Sequence, residues 1–169
     1  MITIEPPSTR PNLMPPATPG LARFLRRARE AVGVRGEVDV LLSSDAEIRR
    51  LNRTFRGKNK ATDVLSFPTP EEIALQHAGD LAISLETAER QAETFGHSLN
   101  AEIRILLLHG LLHLAGMDHE TDSGEMAARE TELRRKLKLP ATLIERVSQP
   151  RSIRTTRRRP ASAAGRRAR

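Results

Sequence analysis

The chain has 169 residues, the length of one domain, and it contains no cysteine, so disulfide-stapled folds and thiolate metal sites are excluded. It has no apolar run near the roughly 20 residues needed to cross a bilayer and no secretion signal, so we expect a cytoplasmic protein. The net charge is +7, but eight of the 28 basic residues and no acidic one lie in 148–169, which leaves 20 basic against 21 acidic residues in 1–147.

The N-terminal residues predict a strand, a loop and a helix. Residues 1–5, MITIE, alternate as in a short strand, and the proline-rich stretch 6–19 is typical of a loop. A helix is predicted to begin with Thr18 as its N-cap and Pro19 at its first position, and to end at Gly33. Its apolar stripe consists of Leu21, Phe24, Leu25, Ala28 and Val32.

The middle of the chain predicts three strands and two helices. The strands are expected at 38–44, 62–68 and 79–84. Ser44 or Asp45 caps the helix that follows the first strand, and this helix is expected to turn an apolar stripe inward. The stripe consists of Ile48, Leu51 and Phe55. A more polar helix is expected from about residue 85 to residue 95 and ends at Gly96.

The helix predicted at 98–115 is apolar on nearly every side, which is typical of a helix buried in the centre of a domain. It contains His109 and His113 and ends at Gly116. On an α-helix, side chains four residues apart project from the same face, so the two imidazoles are expected to lie together. A left-handed glycine can then reverse the chain and bring His119 back towards them.

Three histidines in the stretch HGLLHLAGMDH predict a metal site. Three imidazoles suit Zn²⁺, Ni²⁺, Cu²⁺ or Fe²⁺, and three protein ligands leave a coordination position open, as in catalytic rather than structural sites. The alternative is that His109, His113 and His119 are ordinary core or surface histidines. His77 and His97 have no comparable spacing and are not predicted as ligands.

The same stretch has the skeleton of the zinc-protease motif H-E-x-x-H-x-x-G-x-x-H, but Gly110 replaces the glutamate that acts as the base. The substitution weighs against a metalloprotease-like hydrolase, which stays one alternative. Because a metal lowers the pKa of bound water from 15.7 to about 7, hydrolysis without that glutamate is feasible. Asp118, beside His119, can serve as a base or can orient a ligand imidazole, and we favour the second role.

The C-terminal part predicts one helix and a basic tail. Asp122 and Glu125 have the spacing of a capping box, and the helix that they open is expected to end before Pro140. Residues 148–169 are rich in Arg, Ala, Ser and Pro and offer little to bury, so a disordered arm is predicted. Such basic arms bind nucleic acid in many proteins, and a purely solubilising tail is the alternative.

Three stretches, LNRTFRGKNKATDVLSFP, GDLAIS and HGLLHLAGMDH, together resemble the YbeY family of bacterial rRNA maturation factors. The resemblance extends over about residues 38–137 and does not include the arginine-rich tail. It implies an α+β fold: a single small domain, residues 1–147, with a mixed four-stranded sheet packed on helices and a central buried helix carrying the metal ligands.

The resemblance also implies a function. The family members are single-strand-specific endoribonucleases that act in 16S rRNA 3′-end maturation and ribosome quality control. The implied cofactor is one Zn²⁺ ion, with Ni²⁺ as an alternative, held by His109, His113 and His119. The implied partners are single-stranded RNA, especially small-subunit rRNA, the small ribosomal subunit and its assembly factors, with no membrane and no DNA. A non-catalytic RNA-binding assembly factor with a structural metal is the remaining alternative.

Arg56 is the predicted catalytic residue. The resemblance places the family's functionally important arginine at this position, and the chemistry gives an independent reason, because a guanidinium binds a phosphate through two parallel hydrogen bonds. Arg56, Lys58 and Lys60 form a basic loop before a predicted strand. If that loop borders the metal cleft, Arg56 can stabilise the charge that develops on the phosphate. The alternative is a solvated run of charges.

Overall fold

The computed structural model describes residues 1–13, 15 and 17–140. The predicted basic arm, 148–169, lies outside the described residues. Four strands and five helices follow one another in the described part. They are β1 (Ile2–Ile4), α1 (Thr18–Val32), β2 (Glu37–Ser43), α2 (Asp45–Arg56), β3 (Val64–Pro68), β4 (His77–Ser84), α3 (Leu85–Phe95), α4 (Leu99–Leu114) and α5 (Glu125–Lys136).

The four strands form one mixed sheet, as the resemblance implied, and their order is β1-β2-β4-β3. β2 pairs in parallel with β1 and with β4, while β3 runs antiparallel to β4. β3 is therefore an edge strand. In its register, Leu65 lies opposite Ala82 and Phe67 lies opposite Asp80.

The two faces of the sheet are covered unequally. The main core joins one face to α1, α3, α4 and α5, and includes Leu81 and Ile83 of β4. α4 lies at its centre, because nine of its 16 residues are buried. The opposite face has a small cluster of Ile48, Leu65 and Ala82 beneath α2. No helix in the described part of the chain is long and apolar enough to cross a membrane.

Polar caps fix where three of the helices begin. Ser44, Ser84 and Ser98 are the N-caps of α2, α3 and α4, and each hydroxyl accepts a 3.1 Å hydrogen bond from the backbone N–H three residues later. The predicted ends at Gly33 and Gly96 are also confirmed, since both glycines adopt the left-handed conformation.

Two predicted caps are wrong. The N-cap of α1 is Ala17, and Thr18 already belongs to the helix. Gly124, with a φ of +104°, precedes α5, so Asp122 and Glu125 do not form a capping box around it. Asp122 instead accepts hydrogen bonds from the N–H groups of Gly124 and Met126, at 2.9 and 2.7 Å. In both cases the polar residue indicated that a helix begins nearby, but it did not indicate which residue is the N-cap.

One core prediction is also wrong. Phe55 was expected to face inward with Ile48, but its exposed fraction is 65%, whereas Ile48 is fully buried. The strand bounds differ slightly, since β3 begins at Val64 rather than at residue 62, and β4 begins at His77.

Candidate active site

The structure brings the three predicted ligands together. His109 and His113 lie one turn apart on α4, and their Nε2 atoms are 3.2 Å apart. Gly116, with a φ of +88°, turns the chain after α4 and allows His119 to return towards the helix. The ring centroid of His119 is 5.3 Å from that of His109 and 5.2 Å from that of His113.

This arrangement fits a single metal ion. One ring nitrogen from each histidine lies within 4.8 Å of the other two, and no carboxylate in the described part of the chain joins this group. Metal–nitrogen bonds of about 2.0–2.1 Å at tetrahedral angles would separate two ligand nitrogens by roughly 3.3 Å. The observed 3.2 Å between His109 and His113 agrees with that separation. Three histidines can therefore hold an ion with one coordination position open.

Glu130 fixes the orientation of His109. Its Oε2 lies 3.0 Å from Nδ1 of His109, and its Oε1 accepts a 3.0 Å hydrogen bond from Nε of Arg134. Burial alone would raise the pKa of Glu130, but the hydrogen bond with His109 and the charge of Arg134 lower it below its usual value. An ionised carboxylate only accepts hydrogen bonds, so Nδ1 of His109 is the protonated nitrogen and Nε2 is available to a metal.

The sequence favours Asp118 for this orienting role and leaves a role as base open, but the structure does not support that preference. Asp118 accepts a 3.0 Å hydrogen bond from the backbone N–H of Glu120, and none to a ligand imidazole is seen among the described residues. That bond to the Glu120 N–H is the main reason why the pKa of Asp118 is lowered. Glu130 was not among the predicted site residues, because its place between Met126 and Leu133 in the buried stripe of α5 indicates burial but not its contact with His109.

The environment of His113 favours its neutral form. Burial lowers the pKa of His113, and the neighbouring His109 and His119 lower it further, while a hydrogen bond with the backbone of Met117 and the charge of Asp118 oppose the change. Metals bind the unprotonated nitrogen of a neutral imidazole. The surroundings of His113 therefore favour the form of the side chain that binds a metal.

The three histidines line an open cleft of about 670 Å³. Arg56, the last residue of α2, lines the same cleft, as do Ser66 and Pro68 of β3 and the loop at 116–120. Lys58 and Lys60 are exposed but do not line it. The structure thus places one residue of the predicted basic loop, Arg56, beside the candidate metal ligands.

Packing explains why position 110 holds a glycine, where the zinc-protease motif has its glutamate. A Cβ atom on Gly110 would lie 2.7 Å from Cδ2 of the buried Leu81 and 3.4 Å from Oγ of Ser66. Position 110 therefore faces the sheet, where a longer side chain has no room and a charge has no partner. A glutamate at this position cannot act as a base in this fold, which argues against the metalloprotease alternative.

We expect Glu130→Gln to weaken metal binding by about 10- to 100-fold, the usual cost of losing a partner that orients a ligand. The amide keeps the shape but removes the charge that fixes the tautomer of His109. The measurement is competition with a chelator of known affinity, combined with thermal unfolding. Glu132→Gln is the matched control, because Glu132 is exposed on the same helix. An unchanged metal affinity in a folded Glu130→Gln variant would show that the contact is unimportant.

Comparisons with known proteins agree with one another. A family model described as Endoribonuclease YbeY matches residues 20–138. A Koribacter versatilis protein named Endoribonuclease YbeY is 61% identical over 130 residues, covering 77% of this chain and 84% of that protein. A Solibacter usitatus protein of the same name is 53% identical over 135 residues, covering 78% and 89%. The solution structure of a Thermotoga maritima protein aligns with a TM-score of 0.52 and 30% identity, covering 81% of this chain and 89% of that one.

Proposed function

The chain belongs to the YbeY family of endoribonucleases, and we propose that it cleaves single-stranded RNA with a metal ion held by His109, His113 and His119. The observation that carries the proposal is the convergence of three imidazoles in an open cleft that also contains Arg56. Zn²⁺ is the proposed ion, because a set of three histidines with an open position is typical of catalytic zinc, and Ni²⁺ is the alternative.

Different residues of the cleft have different roles in phosphodiester cleavage. A bound divalent ion supplies Lewis acidity, which favours attack on phosphorus at neutral pH. Arg56 binds the non-bridging oxygens of the phosphate and stabilises the charge that grows on them in the transition state. Glu130 keeps His109 in the tautomer that a metal requires. Because Gly110 packs against Leu81 and carries no side chain, it supplies no base, and the attacking group is water or the 2′-hydroxyl of the RNA.

The proposed substrate in the cell is small-subunit rRNA. We assign the protein to 16S rRNA 3′-end maturation and ribosome quality control, in the cytoplasm, with the small subunit and its assembly factors as partners. Membership of the family supports this assignment. The composition supports contacts led by phosphate groups rather than by many stacked bases, because the chain has no Trp or Tyr and only four Phe.

Cleavage of one labelled oligonucleotide tests the proposal. The purified protein should cut the single strand, should leave the same strand intact when it is annealed to its complement, and should lose activity after chelation and regain it with Zn²⁺. Products ending in a 2′,3′-cyclic phosphate would indicate attack by the 2′-hydroxyl, and simple phosphate or hydroxyl ends would indicate water. Absence of cleavage, or cleavage that is indifferent to chelation, would refute the proposal.

Residues 148–169 are proposed to raise RNA affinity without taking part in the chemistry, because they hold eight arginines next to a nearly neutral domain. Each neutralised phosphate of a single strand contributes about 0.7 to the slope of log affinity against log salt. If about half of the arginines engage, ending the chain at Val147 should reduce that slope by roughly 3 units. The slope is measured by RNA binding at several salt concentrations, for the full chain and for the chain ending at Val147. An unchanged slope would exclude the role, and a collapse of the rate at saturating RNA would place these residues in the active site.

A further inference from the structure

The apolar stripe of α2 extends beyond the core. Ile48 is fully buried between the helix and the sheet, but Phe55, two turns later in the same stripe, has an exposed fraction of 65%. Its neighbour on the sheet is Phe67 of β3, with ring centroids 5.4 Å apart and an interplanar angle of 65°. Phe67 supports Phe55 from the side and leaves most of its ring open to solvent.

The aromatic pair borders the candidate active site. Phe55 directly precedes Arg56, and Phe67 lies between Ser66 and Pro68, all three of which line the cleft. Successive side chains of a strand point to opposite faces, so Phe67 faces away from the cleft while its two neighbours face into it. The pair therefore lies just across the edge strand from the cleft.

The charges beside the pair suit a polyanion. Arg49, Arg53 and Lys58 are exposed on α2 and in the turn after it. Arg49 donates to the neutral amide oxygen of Asn59, and Arg53 and Lys58 have no ion pair in the part of the chain that the structure describes. On the other side of Phe67, Asp80 lies across from it in the sheet and pairs with His77. The exposed cations therefore favour phosphate contacts on the α2 side of Phe55.

We propose that Phe55, supported by Phe67, is a stacking platform for an unpaired base close to the phosphate in the cleft. The inference rests on the proposed function and adds a reason for single-strand specificity. Every nucleobase has a π-face that can stack on an aromatic ring, so the platform tolerates any sequence. In a duplex, each base is already stacked and paired and cannot reach an external ring without first being unpaired.

The test measures binding of a labelled single-stranded RNA, shown by gel electrophoresis to stay intact, to the full-length protein. Phe55→Ala should weaken binding about tenfold, within the range for one stacked base. Phe55→Tyr should bind like the parent protein, whereas Phe55→Leu should not recover the affinity, because it is apolar but has no ring. Leu75→Ala is the matched control, since Leu75 has an exposed fraction of 72% and does not line the cleft.

A scan with abasic nucleotides separates stacking from an indirect effect. Removing the base at one position should weaken binding to the parent protein about tenfold and should have no further effect on Phe55→Ala. Parent-like binding by Phe55→Ala, full recovery by Phe55→Leu, or an abasic effect that persists without the ring would each overturn the inference. A parent protein that binds RNA in this way but never cleaves it would refute the proposed function and leave the platform standing.

Discussion

The His113→Ala variant is expected to lose RNA cleavage altogether and to retain little bound metal. Nε2 of His113 faces Nε2 of His109 at 3.2 Å, so its removal takes away one of three converging nitrogens. Two imidazoles do not hold a divalent ion in a defined geometry, and the Lewis acidity on which cleavage depends is then lost. Metal content by elemental analysis and cleavage of a labelled single strand are the two measurements.

His77→Ala is the matched control for His113→Ala. His77 is also partly exposed, but it pairs with Asp80 on the sheet and does not line the cleft. It should therefore keep activity and the ion held by the three histidines, although His77 also lies with Asp39 and Asp80 in a second group of possible metal ligands. Circular dichroism and thermal unfolding establish that the His113→Ala variant is folded, which matters because α4 forms the centre of the core. A folded His113→Ala variant with normal metal content and activity would show that the assignment of these histidines as metal ligands is wrong.

Local signals account for most of the elements that were predicted correctly. The all-round apolar pattern predicted α4 as a central helix, and that prediction is confirmed by its nine buried residues. The predicted cap at Ser44 and the predicted ends at Gly33 and Gly96 are correct, because one side chain or one φ angle decides those positions. The convergence of the three histidines was also predictable, since two lie one helical turn apart and the third follows a glycine.

Two features of the site could not be predicted from local pattern. Glu130 is 21 residues from His109, and only the packing of α5 against α4 brings them into contact. The exposure of Phe55 depends on where the sheet ends beneath α2. Periodicity shows which face of a helix is apolar, but it does not show how far the partner surface extends along that face. Both features depend on long-range packing.

Replacing Arg56 by alanine is expected to lower the cleavage rate at saturating RNA by about 10²–10³, roughly 3–4 kcal/mol, the usual effect of removing one donor that stabilises transition-state charge. Arg56 is exposed at the end of α2 and has no ion pair in the described part of the chain, so little folding free energy should be lost. It is also not among the candidate ligands, so the metal content should stay at the parent level.

Arg50→Ala provides the control for charge alone. Arg50 lies on the same helix and its side chain is also exposed, but it pairs with Glu47 and does not line the cleft. Its loss should change the saturated rate little, because an exposed ion pair between neighbouring turns contributes little to stability and nothing to the transition state. A similar fall in rate for both variants would mean that overall charge, rather than the position of Arg56, governs cleavage.

Arg56→Lys distinguishes a positioned guanidinium from a simple positive charge. An ammonium group keeps the charge but cannot make two parallel hydrogen bonds to a phosphate, so we expect it to restore only part of the lost rate. The comparison must use saturating RNA, because the basic tail and Phe55 are proposed to act on affinity, whereas Arg56 is proposed to act on the transition state. If Arg56→Ala retains its metal and still cleaves at the parent rate, Arg56 is not catalytic; if Arg56→Lys restores the full rate, charge alone is sufficient and the two-pronged contact is not used.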